Sequence, residues 1–175
     1  KYFCGTHFFN PARYLNLFEI IPGPKTSPEV LKFLNGYGEQ FLGKTSVIAK
    51  DTPAFIGNRI GIFSIQSLFH MVKEMGMTVE EVDKLTGPVI GRPKSATFRT
   101  VDLDTMDYRS NKRASFATLE LTKSIDKVVD RFKVLVAGKD KAGEFYRKSF
   151  AALFAYVSHR IPEISDELYK IDDAM

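Results

Sequence analysis

The sequence is poor in the residues on which several classes of protein depend. It contains one cysteine, Cys4, and no tryptophan among its 175 residues. A single cysteine excludes an internal disulfide and a zinc site built from cysteines, and it suits a reducing compartment. The three histidines, His7, His70 and His159, are too far apart in sequence to form a local metal motif. We therefore expect no metal site, and we expect a cytoplasmic protein.

Long hydrophobic runs are also missing. No stretch approaches the roughly 18 consecutive apolar residues that a membrane span requires, so we expect no span. The N-terminal residues lack the apolar core of a signal peptide. The sequence does not begin with methionine and it ends within a helical pattern, so we expect it to be a piece of a longer polypeptide. Its composition, 44% hydrophobic and 26% charged, is otherwise that of an ordinary globular protein.

Positive charge is concentrated in one part of the chain. The formal net charge is +4, and residues 109–148 hold eleven Lys or Arg residues against five Asp or Glu residues. Such a segment suits a nucleic acid, another polyanion such as coenzyme A, or simply a solvated helical face. It lacks the interleaved aromatic side chains on which single-stranded nucleic acids stack. We therefore favour a solvated face and expect no nucleic-acid partner.

The first fifty residues have the pattern of an α/β layer. Short aromatic and β-branched runs predict strands over residues 2–9, 15–21 and 45–50. A Ser-Pro start and a glycine stop predict a helix over residues 28–42. Three strands and one helix are too few to cover both faces of such a sheet, so further cover is needed.

The remainder of the chain is predicted to be mostly helical. Apolar periodicity predicts helices over residues 53–76, 78–87, 116–137 and 140–161. The start signals are Asp51-Thr52-Pro53 for the first, a capping box from Thr78 to Glu81 for the second and Asp140 for the last. Residues 91–116 are irregular and polar, and they are the candidate linker. Ser165 is placed to cap a last short helix. The predicted fold class is therefore α+β, with helix predominating.

One group of residues has the composition of an acid–base site. His7 lies in the first predicted strand and Glu19 in the next. If these strands are neighbours, the carboxylate can hold one tautomer of the imidazole and stabilise the imidazolium. Asn58, near the start of a helix, can donate its amide to a substrate oxygen. From the residue types alone, a structural hydrogen bond and a local helix cap explain the same pattern.

Three longer motifs follow one another in the order and spacing of a known family. They are GTHFFNP at residues 5–11, EIIPG at residues 19–23 and KDTPAFIGNR at residues 50–59. Together they resemble the 3-hydroxyacyl-CoA dehydrogenase family, and the match extends from residue 1 to about residue 103. The stretch over residues 91–102 is similar to the long, multidomain bacterial members.

The resemblance implies a domain organisation. Residues 1–51 correspond to the C-terminal part of a Rossmann-type NAD-binding domain, and residues 52–103 to an incomplete helical domain of the family's C-terminal type. Residues 104–115 correspond to a linker or seam. Residues 116–175 are similar to the start of a second helical domain. In the family, the helical domain serves dimerisation and covers the substrate.

The resemblance also implies an activity and roles for individual residues. The family oxidises 3-hydroxyacyl-CoA to 3-ketoacyl-CoA with NAD in fatty-acid β-oxidation. His7 then corresponds to the general base, Glu19 to the residue that orients it, and Asn58 to the donor that polarises the substrate oxygen. Asn10, within the histidine motif, is expected to contact the substrate. A homodimer through the helical domain is expected, and a fused or partner enoyl-CoA hydratase is a further possibility.

The sequence departs from the family in one respect that concerns the cofactor. The Gly-x-Gly-x-x-Gly turn that holds a dinucleotide is missing, because the glycines at positions 36, 38 and 43 belong to the predicted helix and its end. We therefore assign no cofactor-binding residue to this chain. We expect NAD to be bound by the parent protein and the chain to be inactive alone. The alternative is a non-catalytic helical module for dimerisation or acyl-CoA docking, cut from such an enzyme.

Overall fold

The computed structural model describes residues 1–92, 100–101, 108–109 and 114–174. The chain divides into two compact units. Unit 1 comprises Lys1–Ile65 and Ala152–Met175, and unit 2 comprises Gln66–Ala151. The predicted linker and seam lie largely outside the described residues. The predicted domain boundaries therefore stay predictions.

Unit 1 contains a three-stranded sheet. Strand β1 (Gly5–Phe8) runs antiparallel to β2 (Leu17–Ile21), and β2 runs parallel to β3 (Thr45–Ile48). All five residues of the central strand β2 are buried. The register places His7 directly opposite Glu19. The three predicted strands are confirmed, each shorter than the run that predicted it.

Helix α1 (Pro28–Gln40) connects β2 to β3 and packs closely on the sheet. Ser27 caps it as predicted, since its hydroxyl accepts a hydrogen bond from the backbone N–H two residues later. The helix requires glycine at position 38, because a Cβ there would lie 2.3 Å from Oγ of Ser46. Gly43 then turns the chain into β3 with a φ of +62°, in the left-handed region that favours glycine.

The cover that the sheet needs comes from the far end of the sequence. Helix α7 (Leu168–Ala174) contacts β2 and β3. Residues from both ends of the chain share one apolar cluster, formed by Leu17, Ile21, Val47, Ala49, Ile56, Ile60, Val157, Ile164, Ile171 and Ala174. Lys50 holds the loop that precedes α7. Its ammonium group donates to the carbonyl of Pro162 (2.7 Å) and pairs with Asp166 (2.5 Å).

Helix α2 (Gly57–Glu74) begins four residues later than predicted. Residues 53–56 instead form a turn. Within this turn Ala54 and Phe55 have φ values of +66° and +50°. Left-handed residues interrupt right-handed helical hydrogen bonding, so the helix cannot include them. The helix start predicted at residue 53 from the Asp-Thr-Pro signal is therefore wrong, and the helix begins at Gly57.

In unit 2, the capping box that was predicted before α3 (Val79–Thr86) is confirmed. The hydroxyl of Thr78 accepts from the N–H of Glu81 (3.2 Å), and the Glu81 carboxylate accepts from the N–H of Thr78 (2.9 Å). A short 3₁₀ turn (Pro88–Ile90) follows. The core of this unit is formed by Met71, Met77, Leu85, Phe116, Leu119, Leu135, Ala142, Phe145 and Tyr146.

The single helix predicted over residues 116–137 is wrong, since the structure has two. Helix α4 (Ala117–Leu121) ends where the hydroxyl of Thr122 bonds back to a backbone carbonyl, and α5 (Val128–Ala137) begins after a polar break. The guanidinium of Arg131 donates to two carbonyls within this break. Side-chain hydrogen bonds of this kind compete with helical ones.

The long helix α6 (Lys141–Arg160) starts as predicted at Asp140. The Asp140 carboxylate accepts from the N–H of Gly143 at 3.0 Å and so caps the helix. Two-residue strands β4 (Thr100–Val101) and β5 (Tyr108–Arg109) pair antiparallel. In the described part of the chain, no helix is both long enough and apolar enough to cross a bilayer.

Candidate active site

A histidine–carboxylate pair stands at the centre of the candidate site. Because His7 and Glu19 face each other across β1 and β2, Nδ1 of the imidazole lies 2.6 Å from Oε2 of the carboxylate. The histidine side chain is 29% exposed, whereas that of the glutamate is fully buried. The pair therefore presents a partly accessible imidazole in front of an inaccessible carboxylate.

The second oxygen of Glu19 is bound by the backbone. Oε1 accepts hydrogen bonds from the N–H groups of Ile56 and Gly57, each at 3.0 Å. A buried carboxylate is costly unless it is hydrogen-bonded, and three donors meet this requirement here. The two N–H groups belong to the start of α2, where a helix leaves its first amides without partners and favours negative charge.

The turn before α2 positions these two donors. Ala54 and Phe55 hold left-handed backbone conformations that cost non-glycine residues about 1 to 2 kcal/mol each. The strained turn ends directly at Ile56, whose N–H is the first donor to Glu19. The contacts at the Glu19 carboxylate therefore contribute to holding the turn in this conformation.

Aromatic rings surround the imidazole. The ring of Phe9 lies edge-on at 5.7 Å from that of His7, and the ring of Phe55 lies at 5.4 Å, between centroids. Gly57 allows Phe9 to take this place, because a Cβ at position 57 would be 2.6 Å from the Phe9 ring. These contacts restrict the rotation of the imidazole about its side-chain bonds.

The two predicted amide residues, Asn10 and Asn58, are both exposed. Asn58 is the second residue of α2 and follows the backbone donor Gly57 directly. Asn10 lies in the loop that leaves β1. Within the described residues, neither side chain has a hydrogen bond to the pair. The structure thus joins His7 and Glu19 to each other and leaves both amides open to solvent.

Arg59 anchors the start of α2. Its guanidinium pairs with Glu163 at 2.5 Å and with the hydroxyl of Tyr156 at 3.4 Å. Arg160 and Arg59 donate to the Glu163 carboxyl and hold its pKa below the ordinary value. The hydrogen bond to Tyr156, and then the Glu163 carboxylate, outweigh the effect of burial and raise the pKa of Arg59. The arginine is therefore a fixed cation beside Asn58.

The sequence did not predict that backbone groups hold Glu19 in this site. The two N–H groups that hold Glu19 belong to Ile56 and Gly57, and backbone donors carry no side-chain signal. The one signal in the sequence is the glycine at position 57, which is required for close packing because a Cβ there would lie 2.6 Å from the Phe9 ring. Its neighbour four residues on, Gly61, faces open space, so packing does not explain that glycine.

The described residues do not form a dinucleotide cradle or a metal centre. Gly36 and Gly38 lie inside α1, and Gly43 follows that helix, so none lies in a phosphate-binding turn between a strand and a helix. No group of three or more His, Cys, Asp or Glu side chains in the described part of the chain is arranged to hold a metal ion.

Comparisons with known proteins agree with this architecture. Residues 1–52 match a family model described as the NAD-binding domain of 3-hydroxyacyl-CoA dehydrogenase. A Bacillus subtilis protein named as a probable 3-hydroxyacyl-CoA dehydrogenase is 57% identical over 106 residues, which are 61% of this chain and 13% of that protein. A Deinococcus radiodurans protein of the same name is 43% identical over 151 residues, which are 84% of this chain and 44% of that protein.

Two further matches are more distant. A Rickettsia prowazekii protein that carries the name of a fatty acid oxidation complex trifunctional enzyme is 30% identical over 158 residues, 84% of this chain and 22% of that protein. The crystal structure of FadB2 from M. tuberculosis matches with 31% identity and a TM-score of 0.43, over 49% of this chain and 32% of that one.

The chain is thus an α+β protein that contains the end of an NAD-binding domain followed by helices. It belongs to the 3-hydroxyacyl-CoA dehydrogenase family. It spans less than half the length of each of the relatives named above.

Proposed function

We propose that the polypeptide to which this chain belongs oxidises 3-hydroxyacyl-CoA to 3-ketoacyl-CoA with NAD, in fatty-acid β-oxidation. One observation carries the proposal: a fully buried carboxylate, Glu19, holds Nδ1 of a partly exposed imidazole, that of His7, at 2.6 Å. Backbone N–H groups fix the other carboxylate oxygen. A fixed carboxylate behind an accessible imidazole is suited to general base catalysis.

The chain's own residues would move a proton and stabilise charge. With Nδ1 engaged by Glu19, Nε2 of His7 is the nitrogen available to the substrate, and it has no hydrogen-bond partner among the described residues. It takes the proton of the 3-hydroxyl group as the ketone forms. The adjacent carboxylate stabilises the positive charge that this proton places on the ring. Because the part of the chain that the structure describes forms no dinucleotide cradle, no hydride step is assigned to its residues.

The two exposed amides would contact the substrate oxygen and its neighbourhood. Asn58 lies in the first turn of α2, where the helix dipole favours negative charge. Its amide N–H₂ donates to the oxygen that becomes the ketone. Asn10, in the loop after β1, serves as a secondary contact to the substrate.

The domain organisation is part of the same proposal. Residues 1–51 would complete an NAD-binding domain, residues 52–103 would begin the helical domain, and residues 104–115 would link it to a second helical segment over residues 116–175. A homodimer through the helical segments and an associated enoyl-CoA hydratase are further proposals. The name of the Rickettsia prowazekii relative, a trifunctional enzyme, supports an association with other activities.

The test is replacement of the proposed base in the natural polypeptide. We expect His7→Gln to lower kcat for oxidation of a short 3-hydroxyacyl-CoA with NAD by about a hundredfold or more, the contribution of a general base. His70→Gln is the control, because His70 is exposed on α2. NADH formation is measured for both. A His7→Gln enzyme within twofold of wild type would exclude the proposed role.

One observation favours a second candidate, a non-catalytic module that docks acyl-CoA or mediates dimerisation. The described residues hold the proposed base, His7, but form no dinucleotide cradle, since Gly36 and Gly38 lie inside α1. Binding of acetyl-CoA by the 175-residue chain, measured by calorimetry, together with a natural polypeptide that reduces no NAD, would select this candidate.

A further inference from the structure

The loop that joins His7 to Glu19 contains a single helical turn. Loop 9–16 runs from the end of β1 to the start of β2 and includes Asn10. The N–H groups of Tyr14 and Leu15 both donate to the carbonyl of Pro11, at 3.0 and 3.2 Å. One such turn is marginal by itself, because few hydrogen bonds offset the cost of ordering the backbone. The loop therefore needs an external contact to stay fixed.

A lysine from another part of the chain supplies this contact. The ammonium group of Lys44 donates to the carbonyl of Leu15 at 2.7 Å and also to that of Ala12. The next residue, Thr45, donates its N–H to the carbonyl of Asn16 at 2.9 Å. Carbonyls at the end of a helical turn lack donors within the turn, and a cation there is doubly favourable. Lys44 thus holds the C-terminal end of the loop in place, just before β2.

The position of Lys44 is itself fixed. Gly43 turns the chain with a φ of +62°, and the N–H of Lys44 donates to the carbonyl of Gly38 at 2.9 Å. β3 begins at the next residue and pairs with β2. The backbone of Lys44 is therefore held between α1 and the sheet, and its side chain spans a defined distance to the loop.

The loop in turn sets the surroundings of the base. Phe9 opens the loop, and its ring lies 5.7 Å from the imidazole of His7. Asn10 follows directly. A change in the course of the loop therefore changes the aromatic contact to His7 and the place of the Asn10 amide together.

We propose that Lys44 is a positioning residue of the dehydrogenase site: its ammonium group locks loop 9–16, and with it Phe9 and Asn10, in the geometry that the base requires. The proposal rests on the function proposed above. Lys44 touches no reacting atom in this assignment and acts only through the loop.

The first measurement is activity in the natural polypeptide. We expect Lys44→Met to lower kcat by about tenfold to a hundredfold, the usual effect of a displacement of about 1 Å in a site, with a smaller change in KM. Lys44→Arg keeps the charge and the donors, and we expect it to recover kcat to within about fivefold of wild type. Lys32→Met is the matched control, because Lys32 is exposed on α1. A Lys44→Met enzyme with kcat within twofold of wild type would overturn the proposal.

The second measurement does not depend on activity. Amide hydrogen exchange of Tyr14 and Leu15 is followed in the natural polypeptide, and we expect it to be at least about tenfold faster in Lys44→Met than in Lys32→Met. Unchanged exchange would mean that Lys44 does not lock the loop. Faster exchange with unchanged kcat would mean that the lock has no part in the reaction, which also overturns the proposal.

The two proposals fail in different ways. If His7→Gln leaves kcat unchanged, the proposed function is wrong, whatever the loop does. If His7→Gln abolishes activity and Lys44→Met does not lower it, only the role of Lys44 is wrong. Should Lys44→Met fail to fold, Lys44→Gln removes the charge and shortens the side chain while keeping it polar, and the same two measurements and outcomes apply.

Discussion

Two glutamates, one in each unit, have similar sets of hydrogen-bond partners but different roles. Glu19 in unit 1 accepts from two backbone N–H groups at the start of α2 and lies 2.6 Å from a histidine. Glu81 in unit 2 accepts from the N–H of Thr78 and lies 2.9 Å from Lys141. The first side chain is fully buried, and the second is 22% exposed.

The difference between these pairs lies in the basic partner. Lysine carries its charge throughout the physiological range of pH, so the pair in unit 2 fastens one helix to another and caps α3. Histidine can gain and lose a proton near neutral pH, so the pair in unit 1 can take part in a reaction. The comparison separates an anchored carboxylate whose partner is a lysine from one whose partner is a partly exposed imidazole, and only the second arrangement is proposed here to be catalytic.

The largest expected effect comes from removal of the buried carboxylate. We expect Glu19→Ala to lower the free energy of unfolding of the 175-residue chain by about 3 kcal/mol or more, because the N–H groups of Ile56 and Gly57 lose their acceptor inside the protein. Urea unfolding followed by circular dichroism measures this. Glu19→Gln keeps an oxygen for both N–H groups and should lose less. Equal losses for the two variants would contradict the assigned contacts.

A second prediction uses two glycines of α2 as a matched pair. Gly57→Ala places a Cβ 2.6 Å from the Phe9 ring and 2.9 Å from Leu17, so we expect a loss of about 1 to 3 kcal/mol of unfolding free energy. Gly61→Ala meets nothing within 4 Å and should stabilise the helix by up to about 1 kcal/mol. Thermal and urea unfolding of both variants test this. Two changes of the same sign would argue against the packing of Phe9 on Gly57.

A third prediction concerns pH and the pair in unit 2. The hydrogen bond from Lys141, and then that from the Thr78 backbone, hold the pKa of the Glu81 carboxyl below its ordinary value. A carboxyl whose pKa is lowered by folding contributes stability above its unfolded pKa, and this contribution is lost as the pH falls through the folded pKa. We expect Glu81→Gln to cost about 0.5 to 1.5 kcal/mol at neutral pH, and we expect this cost to fall away as the pH drops below the ordinary glutamate pKa of about 4.3. A cost that stays constant with pH would exclude the ionic contribution.

The smallest effect is expected at the strained turn. Ala54→Gly should stabilise the chain by up to about 1 kcal/mol, because glycine adopts a φ of +66° without steric cost. Ala155→Gly, at an exposed position within α6, should instead destabilise it by about 1 kcal/mol. Denaturant midpoints of both variants measure the difference. If both variants are destabilised equally, the left-handed conformation of Ala54 carries no strain.

Local signals in the sequence predicted much of the fold. Ser27, the Thr78–Glu81 box and Asp140 cap the helices that they were expected to cap, since a capping side chain acts on a backbone only two or three residues away. The break between α4 and α5 was missed, because its polar residues were outweighed by the apolar periodicity on either side. The start of α2 was missed because the left-handed turn depends on contacts to Glu19, far away in sequence.

The sequence by itself determined the strands, most of the helices and the placement of a histidine and a carboxylate on two consecutive strands. These features depend on residue type and on spacing of a few positions. The tertiary structure alone decided what anchors Glu19, what covers the sheet and what closes the loop after β1. The answers are backbone N–H groups of residues 56 and 57, helix α7 from the far end of the chain, and the ammonium group of Lys44. Backbone donors have no residue-specific signature, and contacts between distant segments form only when the chain packs.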